Sequence, residues 1–303
     1  MSDASARTVA GLAALTHQLE VCADVDTVLT AALEALCEQF GFEHSSLLLL
    51  DETATSLYTV ASRGYQAAGI GSEVRVGDGV IGRVAAERRP ARINNLQRML
   101  VYARSAARST DDTEIPVPSL PSANSQLAAP AIALGRVVGV LAVESEQLGA
   151  FTPEDEALLS VVAHVVASAI LLDRIDTAEP VAAPRSPSPS TTAGRVSTVR
   201  FFTADGSTFI DDEYVIKGVA GRILWRLVSD HVRDGRTEFT NREVRLDPSL
   251  ELPAFKDNLE NRLLLLKRRL DDREAPMRIN RTGRGRFRLD VEGTLRTLVD
   301  GNR

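Results

Sequence analysis

The chain has 303 residues, 44% of them hydrophobic, and a formal net charge of -6. That length exceeds what one hydrophobic core organises, so two globular domains are expected. No uncharged apolar run reaches the ~18–20 residues of a membrane span, and the opening MSDASARTVAG lacks a basic stretch followed by an apolar core, so a cytoplasmic chain without a membrane partner is expected. Cys22 and Cys37 have no partner at metal-ligand spacing; they read as small buried hydrophobes, and no metal site is expected.

The net charge hides an asymmetry. From Arg195 onward 3 Lys and 19 Arg face 18 Asp/Glu, a balance of +4, whereas the first 194 residues carry 13 Arg against 23 Asp/Glu, or -10. Only the C-terminal part is suited to meet a polyanion.

In chain order, Ala6–Glu20 and Val25–Phe40 place apolar residues at helical spacing, with Gly41 as a stop. HSSLLLLDE and SLYTVASRG suit strands, as do QLAAPAIAL and VVGVLAVES, which are joined by the turn Gly135-Arg136. Between these pairs, residues 109–125 form a proline-containing, acidic stretch that reads as a lid or a disordered insertion. A helix then starts at FTPEDEALL, with Thr152 as N-cap, Pro153 in the first turn and Glu154, Asp155 and Glu156 complementing the helix dipole. Residues 177–198, rich in Pro, Ser, Ala and Thr, cannot bury enough surface to offset their ordering entropy and are expected to be a disordered linker.

The segment VGDGVIGRVAAERRPARINN, with Gly77, Gly79, Gly82 and Pro90, and the segment from LAAPAIALGRVVGVLAVES to VVAHVVASAI resemble the GAF domain family. The resemblance covers roughly residues 7–176. It implies a six-stranded antiparallel sheet with helices on one face and a small-molecule pocket, or its remnant, on the other. The candidate ligand residues by position are Tyr65, Arg92, Asn94, Asn95, Met99, Tyr102 and Gln126. The Asn-Lys-x-x-x-Phe-Asp-Glu signature of cyclic-nucleotide-binding members is absent, and so is a cysteine placed for a bilin, so no cofactor can be named. His17, His44 and His164 stand alone, and no acid–base or nucleophile pair marks an enzyme.

The remainder opens with two alternating runs about Asp205-Gly206, a hairpin signal. A helix follows with Ile223, Leu224, Leu227 and Val228 on one face and Gly235 as its stop; a short helix capped by Thr240 comes next, where Glu243 completes a capping box. AFKDNLENRLLLLKRRLDD is a long helix, and MRINRTGRGRFRLDV closes the domain as a hairpin turning at residues 282–285. The stretch from Val199 to Val291 resembles the OmpR-type winged-helix DNA-binding domain, with Lys217, Gly218, Val219 and Ala220 standing where that family opens its first helix with Thr-x-x-Glu. The expected architecture is therefore α+β: a GAF-type sensor over residues 1–176, a linker over 177–198 and a winged helix over 199–303.

On the long helix, Leu259, Leu263, Leu266 and Leu270 form the stripe expected to face the core. That leaves Asn258, Asn261, Arg262, Leu265, Arg268 and Arg269 as the opposite, major-groove face. The resemblance places Asn258, Asn261, Arg262 and Leu265 at base-reading positions and leans Lys267 and the later arginines towards phosphate. Arg278, Arg281, Arg284, Arg286 and Arg288 lie within eleven residues and alternate with Ile279, Phe287 and Leu289, so a hairpin would turn apolar groups inward and several arginines outward, the arrangement a wing needs at a minor groove. The expected function is non-enzymatic: a transcription regulator on double-stranded DNA, controlled by a small-molecule effector or protein partner. The alternative is a signalling scaffold whose winged helix binds protein. The sensor's first helix and its last, with Val161, Val162, Val165 and Val166, carry more apolar surface than one sheet face covers, so a homodimer is expected, with Val162→Glu or Val166→Glu weakening it.

Overall fold

The computed structural model describes residues 3–22, 24–51, 53–97, 115–177, 196–250, 259–283 and 285–300. The chain divides into two compact units, residues 1–173 and 174–303. Residues 178–195 of the expected linker lie outside the described residues.

In the first unit, helices α1 (Asp3–Glu20) and α2 (Val25–Phe40) precede strands β1 (His44–Leu50), β2 (Ser56–Arg63) and β3 (Glu73–Arg75). Helix α3 (Gly79–Glu87), strands β4 (Ala91–Ile93), β5 (Ser125–Ala133) and β6 (Arg136–Ser145), and helix α4 (Pro153–Thr177) complete it. Helix α2 begins where the Asp24 carboxylate accepts the Thr27 amide, with the Thr27 hydroxyl returned to the Asp24 amide, and it ends at Gly41 in the left-handed region at φ 73°. Helix α4 has the expected cap: Thr152 Oγ1 accepts from the Asp155 amide at 3.2 Å while the Asp155 carboxylate accepts from the Thr152 amide at 2.8 Å. The β5–β6 turn is one residue earlier than expected, centred on Leu134 and Gly135, both at positive φ. Such a pair matches the right-handed twist of the strands it joins.

The six strands run β3-β2-β1-β6-β5-β4, each neighbour antiparallel. Alternation gives the sheet two apolar faces. Helix α2 packs on β1 and β2. On the face that carries Leu48, Val140, Ala142 and Ala128, the side chains of Val80, Ile81 and Val84 from α3 complete a second core cluster. Gly82 permits this packing, since a Cβ there would sit 2.2 Å from the Arg75 carbonyl oxygen. Leu120 and Ala123 join the same cluster. The described end of the proline-containing stretch is thus packed against the sheet rather than an open insertion.

On α4 the inward residues are Val162 and Val166, at 0% and 1% exposure, whereas Val161 and Val165 are 47% and 40% exposed. This corrects the choice of valines made from the sequence. The apolar stripe is continuous around much of the helix, so periodicity alone does not say which valine faces the sheet.

The second unit comprises β7 (Val196–Phe202), β8 (Thr208–Ile210), β9 (Glu213–Ile216), helix α5 (Gly218–Asp234), β10 (Glu238–Thr240), the five-residue helix α6 (Asn241–Arg245), and a 3-10 turn (Pro248–Leu250). Helix α7 (Leu259–Asp272), β11 (Met277–Gly283), β12 (Arg286–Val291) and β13 (Thr294–Asp300) follow. One sheet runs β13-β7-β8-β9 and a smaller one β10-β12-β11. The hairpin does not close this unit: β13 returns to pair parallel with β7, Thr294 opposite Val196 through Asp300 opposite Phe202. Residues 196–198, expected in the linker, are therefore strand.

Helix α5 buries Ile223, Leu224, Leu227 and Val228 completely and stops at Gly235, φ 69°. Gly221 lets its first turn approach the β7–β8 connection, where an added Cβ would lie 1.9 Å from the Gly206 carbonyl oxygen. Trp225 stacks on Phe201 with ring centroids 5.1 Å apart. At the other end of α5, the carboxylate of Asp230, its side chain only 3% exposed, pairs with Arg226, with Arg233 at 2.8 Å and with Arg236 at 3.7 Å. Thr240 caps α6 through the Glu243 amide at 3.2 Å, but the Glu243 carboxylate pairs with Arg236, so the expected reciprocal box is replaced by an ion pair.

Candidate functional site

In the first unit, polar groups gather at one end of the α3-side face of the sheet. The register sets His44 and Gln126 on either side of Glu144, in line with Ser46 and the apolar residues of that face. Glu144 is 7% exposed; its Oε1 accepts from Gln126 Nε2 at 3.0 Å and its Oε2 from the Leu120 amide at 2.9 Å. Burial pushes its carboxyl above the ordinary glutamate value, partly offset by the Leu120 and Gln126 hydrogen bonds. The Tyr65 hydroxyl is buried without a hydrogen-bond partner, and burial together with the nearby Glu144 charge raises its pKa. Its ring meets His44 edge-on at 5.6 Å. The result is a buried, proton-bearing cluster with unspent hydrogen-bonding capacity: a phenol hydroxyl, and a carboxyl with no cationic partner among the described residues.

Of the residues expected at a ligand site, Tyr65 and Gln126 are brought together here. Arg92 is not. Its neighbours Ala91 and Ile93 pack in the α3-side cluster, so Arg92 points to the other face, where Nε meets Glu156 at 3.3 Å and Nη1 the Phe151 carbonyl at 3.3 Å. It ties β4 to the start of α4, a structural role. Asn94 and Asn95 are exposed, and the Asn94 carbonyl accepts from the Gly149 amide at 3.2 Å. Met99 and Tyr102 lie outside the described residues. Glu144 was missed by sequence reasoning, although a lone carboxylate continuing the inward positions of Val140 and Ala142 was the available signal.

In the second unit, α7 is embedded more deeply than one leucine stripe implies. Leu259, Leu266 and Leu270 are fully buried, as expected, and Leu263 is half-buried. Leu264 and Leu265 are buried as well, and so are Asn261, Arg262 and Arg269, at 8%, 7% and 6% exposure. Helices α5 and α6 and strands β9 and β11 all pack on α7, which leaves no broad outward face. Leu265 therefore belongs to the core, not to an outward apolar contact. Arg269 donates to the Val215 carbonyl at 2.8 Å and pairs with Asp272 at 2.9 Å, while burial holds its guanidinium below the ordinary arginine value. Glu260 does not pair along its own helix; it accepts from Asn241 Nδ2 at 3.0 Å and Arg245 Nη2 at 2.9 Å, joining α6 to α7. Lys267 and Arg268 are half-buried, and Asn258 lies outside the described residues.

The hairpin follows the expected alternation. Met277, Ile279, Phe287 and Leu289 are buried, and Phe287 stacks on Phe239 of β10 at 5.8 Å. Outward, Arg278 and Arg281 are exposed and Arg286 and Arg288 half-exposed. Arg288 is partly neutralised by Asp290 at 2.7 Å. Arg284 lies outside the described residues. The hairpin thus presents guanidinium groups from a rigid apolar base.

Residues 22–171 match the sequence model of a family described as the GAF domain. Among solved structures, the chain is similar to the GAF domain of a phosphoenolpyruvate-protein phosphotransferase from Coxiella burnetii, at 20% identity, with 59% of this chain and 100% of that one covered and a TM-score of 0.48. The corresponding domain from Acinetobacter gives 18% identity, 58% and 97% coverage and a TM-score of 0.47. Free methionine-R-sulfoxide reductase from Neisseria meningitidis, solved with its substrate, gives 20%, 58% and 95%, and 0.46. No curated protein sequence matches the chain.

Proposed function

Because residues 22–171 are a GAF domain, a sensing and signalling module, we propose that the chain is a signal-responsive regulator whose second unit is an OmpR-type winged helix that docks on double-stranded DNA. The observation that carries the DNA-binding half is the β11–β12 hairpin, with Arg278, Arg281 and Arg286 directed outward from the buried base of Ile279, Phe287 and Leu289. The order of helix, short strand, helix, helix and hairpin after a preceding sheet supports the reading, as does the +4 balance of the C-terminal part beside the acidic remainder.

The contacts proposed for phosphate are the hairpin arginines with Lys267 and Arg268. Asn261, Arg262, Leu265 and Arg269 are not assigned to bases, because each is buried within this structure. In the sensor, the effector is proposed to be a small molecule held by the free capacity of Tyr65, Gln126 and Glu144.

Titration of the full chain onto a labelled mixed-sequence duplex between 50 and 200 mM salt tests the proposal. Binding that weakens steeply with salt, with a slope that falls by about one for each of Arg278→Ala, Arg281→Ala and Arg286→Ala, is the expected result. Burial of Asn261, Arg262 and Leu265 favours one other reading, a scaffold whose second unit binds protein; salt-independent behaviour with no duplex retained would select it.

A further inference from the structure

Helix α4 carries no Asp, Glu, Lys or Arg from Ala157 to Leu172. By length and composition alone it could cross a membrane, yet one side of it is the core of the sensor. The other side lines a groove of about 660 Å³ with Val161, Val165, Ala169 and Leu172, closed by Leu19 of α1 and Val28 of α2. Leu172 is 65% exposed, in addition to the half-exposed Val161 and Val165.

The polar residues in this groove do not make it polar. Ser160 Oγ donates to the Glu156 carbonyl at 2.7 Å, His164 Nδ1 lies 2.6 Å from the Ser160 carbonyl, and Ser168 Oγ donates to the His164 carbonyl at 2.9 Å. Each returns its hydrogen-bonding group to the helix and leaves carbon facing outward. A contiguous apolar face of this kind marks an interaction surface rather than an ordinary solvated helix.

We propose that this groove is the seat of a second copy of the chain, joined α4 to α4 about a two-fold axis. This goes beyond the regulator reading and does not depend on it. Helix α4 is about 37 Å long, and with α1 beside the groove the face offers about 500 Å² per protomer, on the order of the 1,000 Å² total that a specific interface needs. An isologous contact requires only that this one surface meet itself, which a smooth valine and leucine ridge beside a groove can do.

Two other occupants fit less well. A lipid surface calls for basic residues flanking the apolar face, but the first turn of α4 carries Glu154, Asp155 and Glu156. The chain's own segment 178–195 offers nothing larger than valine to fill the groove.

The test is sedimentation velocity of the full chain from about 0.5 to 50 μM, with Val161→Glu/Val165→Glu and, separately, Leu172→Glu. The expected result is a wild-type dimer whose dissociation constant rises at least about 100-fold in either variant, since each buries carboxylates in an apolar seam. Both variants should keep the wild-type circular dichroism spectrum and melting temperature, because their target side chains are exposed in the single chain. A monomeric wild type across this range, or dimers that persist in both variants, would overturn the proposal. So would flotation of monomeric wild type with phosphatidylcholine or phosphatidylserine vesicles, which would give the groove to lipid.

Discussion

Replacing Glu144 with glutamine is expected to stabilise the sensor near neutral pH while removing a pH dependence. The carboxyl is almost fully buried and, among the described residues, accepts one backbone and one side-chain hydrogen bond without a cation beside it. Because burial raises its folded-state pKa above the ordinary value of 4.5, the folded chain binds more protons than the unfolded chain between those two values. The stability contribution is greatest below the ordinary value, falls as pH rises through that window, and stays at its low level above it. Glutamine preserves the shape and the acceptor for Leu120, and its amide hydrogens can be met by the otherwise unpartnered Tyr65 hydroxyl. The gain at neutral pH should be about 1–3 kcal/mol, the cost of a desolvated polar group left imperfectly paired. In a unit of this size each kcal/mol moves the melting temperature by roughly 2–4 °C. Differential scanning calorimetry of both full-length chains from pH 4.5 to 8 provides the comparison. Trp225, the only tryptophan, reports on the second unit and not on the sensor. A variant that melts below wild type at pH 7.5, with a difference that does not change with pH, would refute the reasoning.

Gly221→Ala should destabilise the second unit by about 3 kcal/mol or more, because its Cβ would meet the rigid Gly206 carbonyl at 1.9 Å; tryptophan fluorescence in urea, read from Trp225 in the same helix, would show it. Asp230→Ala leaves three arginines without their buried carboxylate but able to hydrate in part, so a loss of about 1–3 kcal/mol in the same assay is expected. Arg92→Ala should lower the sensor's melting temperature by a few degrees through loss of the tie to Glu156 and Phe151, and should leave effector binding unchanged.

Much of the sensor was legible because its signals are local. Gly41 and Thr152 terminate and start helices by their own backbone and side-chain chemistry, and alternation in β1, β5 and β6 needs no distant partner to be recognised. What was not legible depended on face assignment. Arg92 lies in a three-residue strand whose inward positions, Ala91 and Ile93, are set by pairing with β5. Val161 and Val162 are equally apolar, and only packing separates them. On α7, one leucine stripe suggested a helix covered on one side, whereas four elements close around it and bury Asn261, Arg262 and Leu265. Strand β13 was missed because its partner, β7, lies at the opposite end of the unit in sequence. The hairpin was read correctly, since its two-residue alternation of arginine and apolar groups specifies inside and outside within one local unit.

The central claim, a GAF sensor governing a DNA-binding unit, is tested most directly by selecting duplexes from a random pool with the full chain and sequencing the bound fraction. The account predicts progressive enrichment of a recurrent sequence in the wild-type selections, strongly reduced when Arg278, Arg281 and Arg286 are all replaced by alanine. Equal recovery of all sequences by the wild-type and triply substituted chains would contradict it.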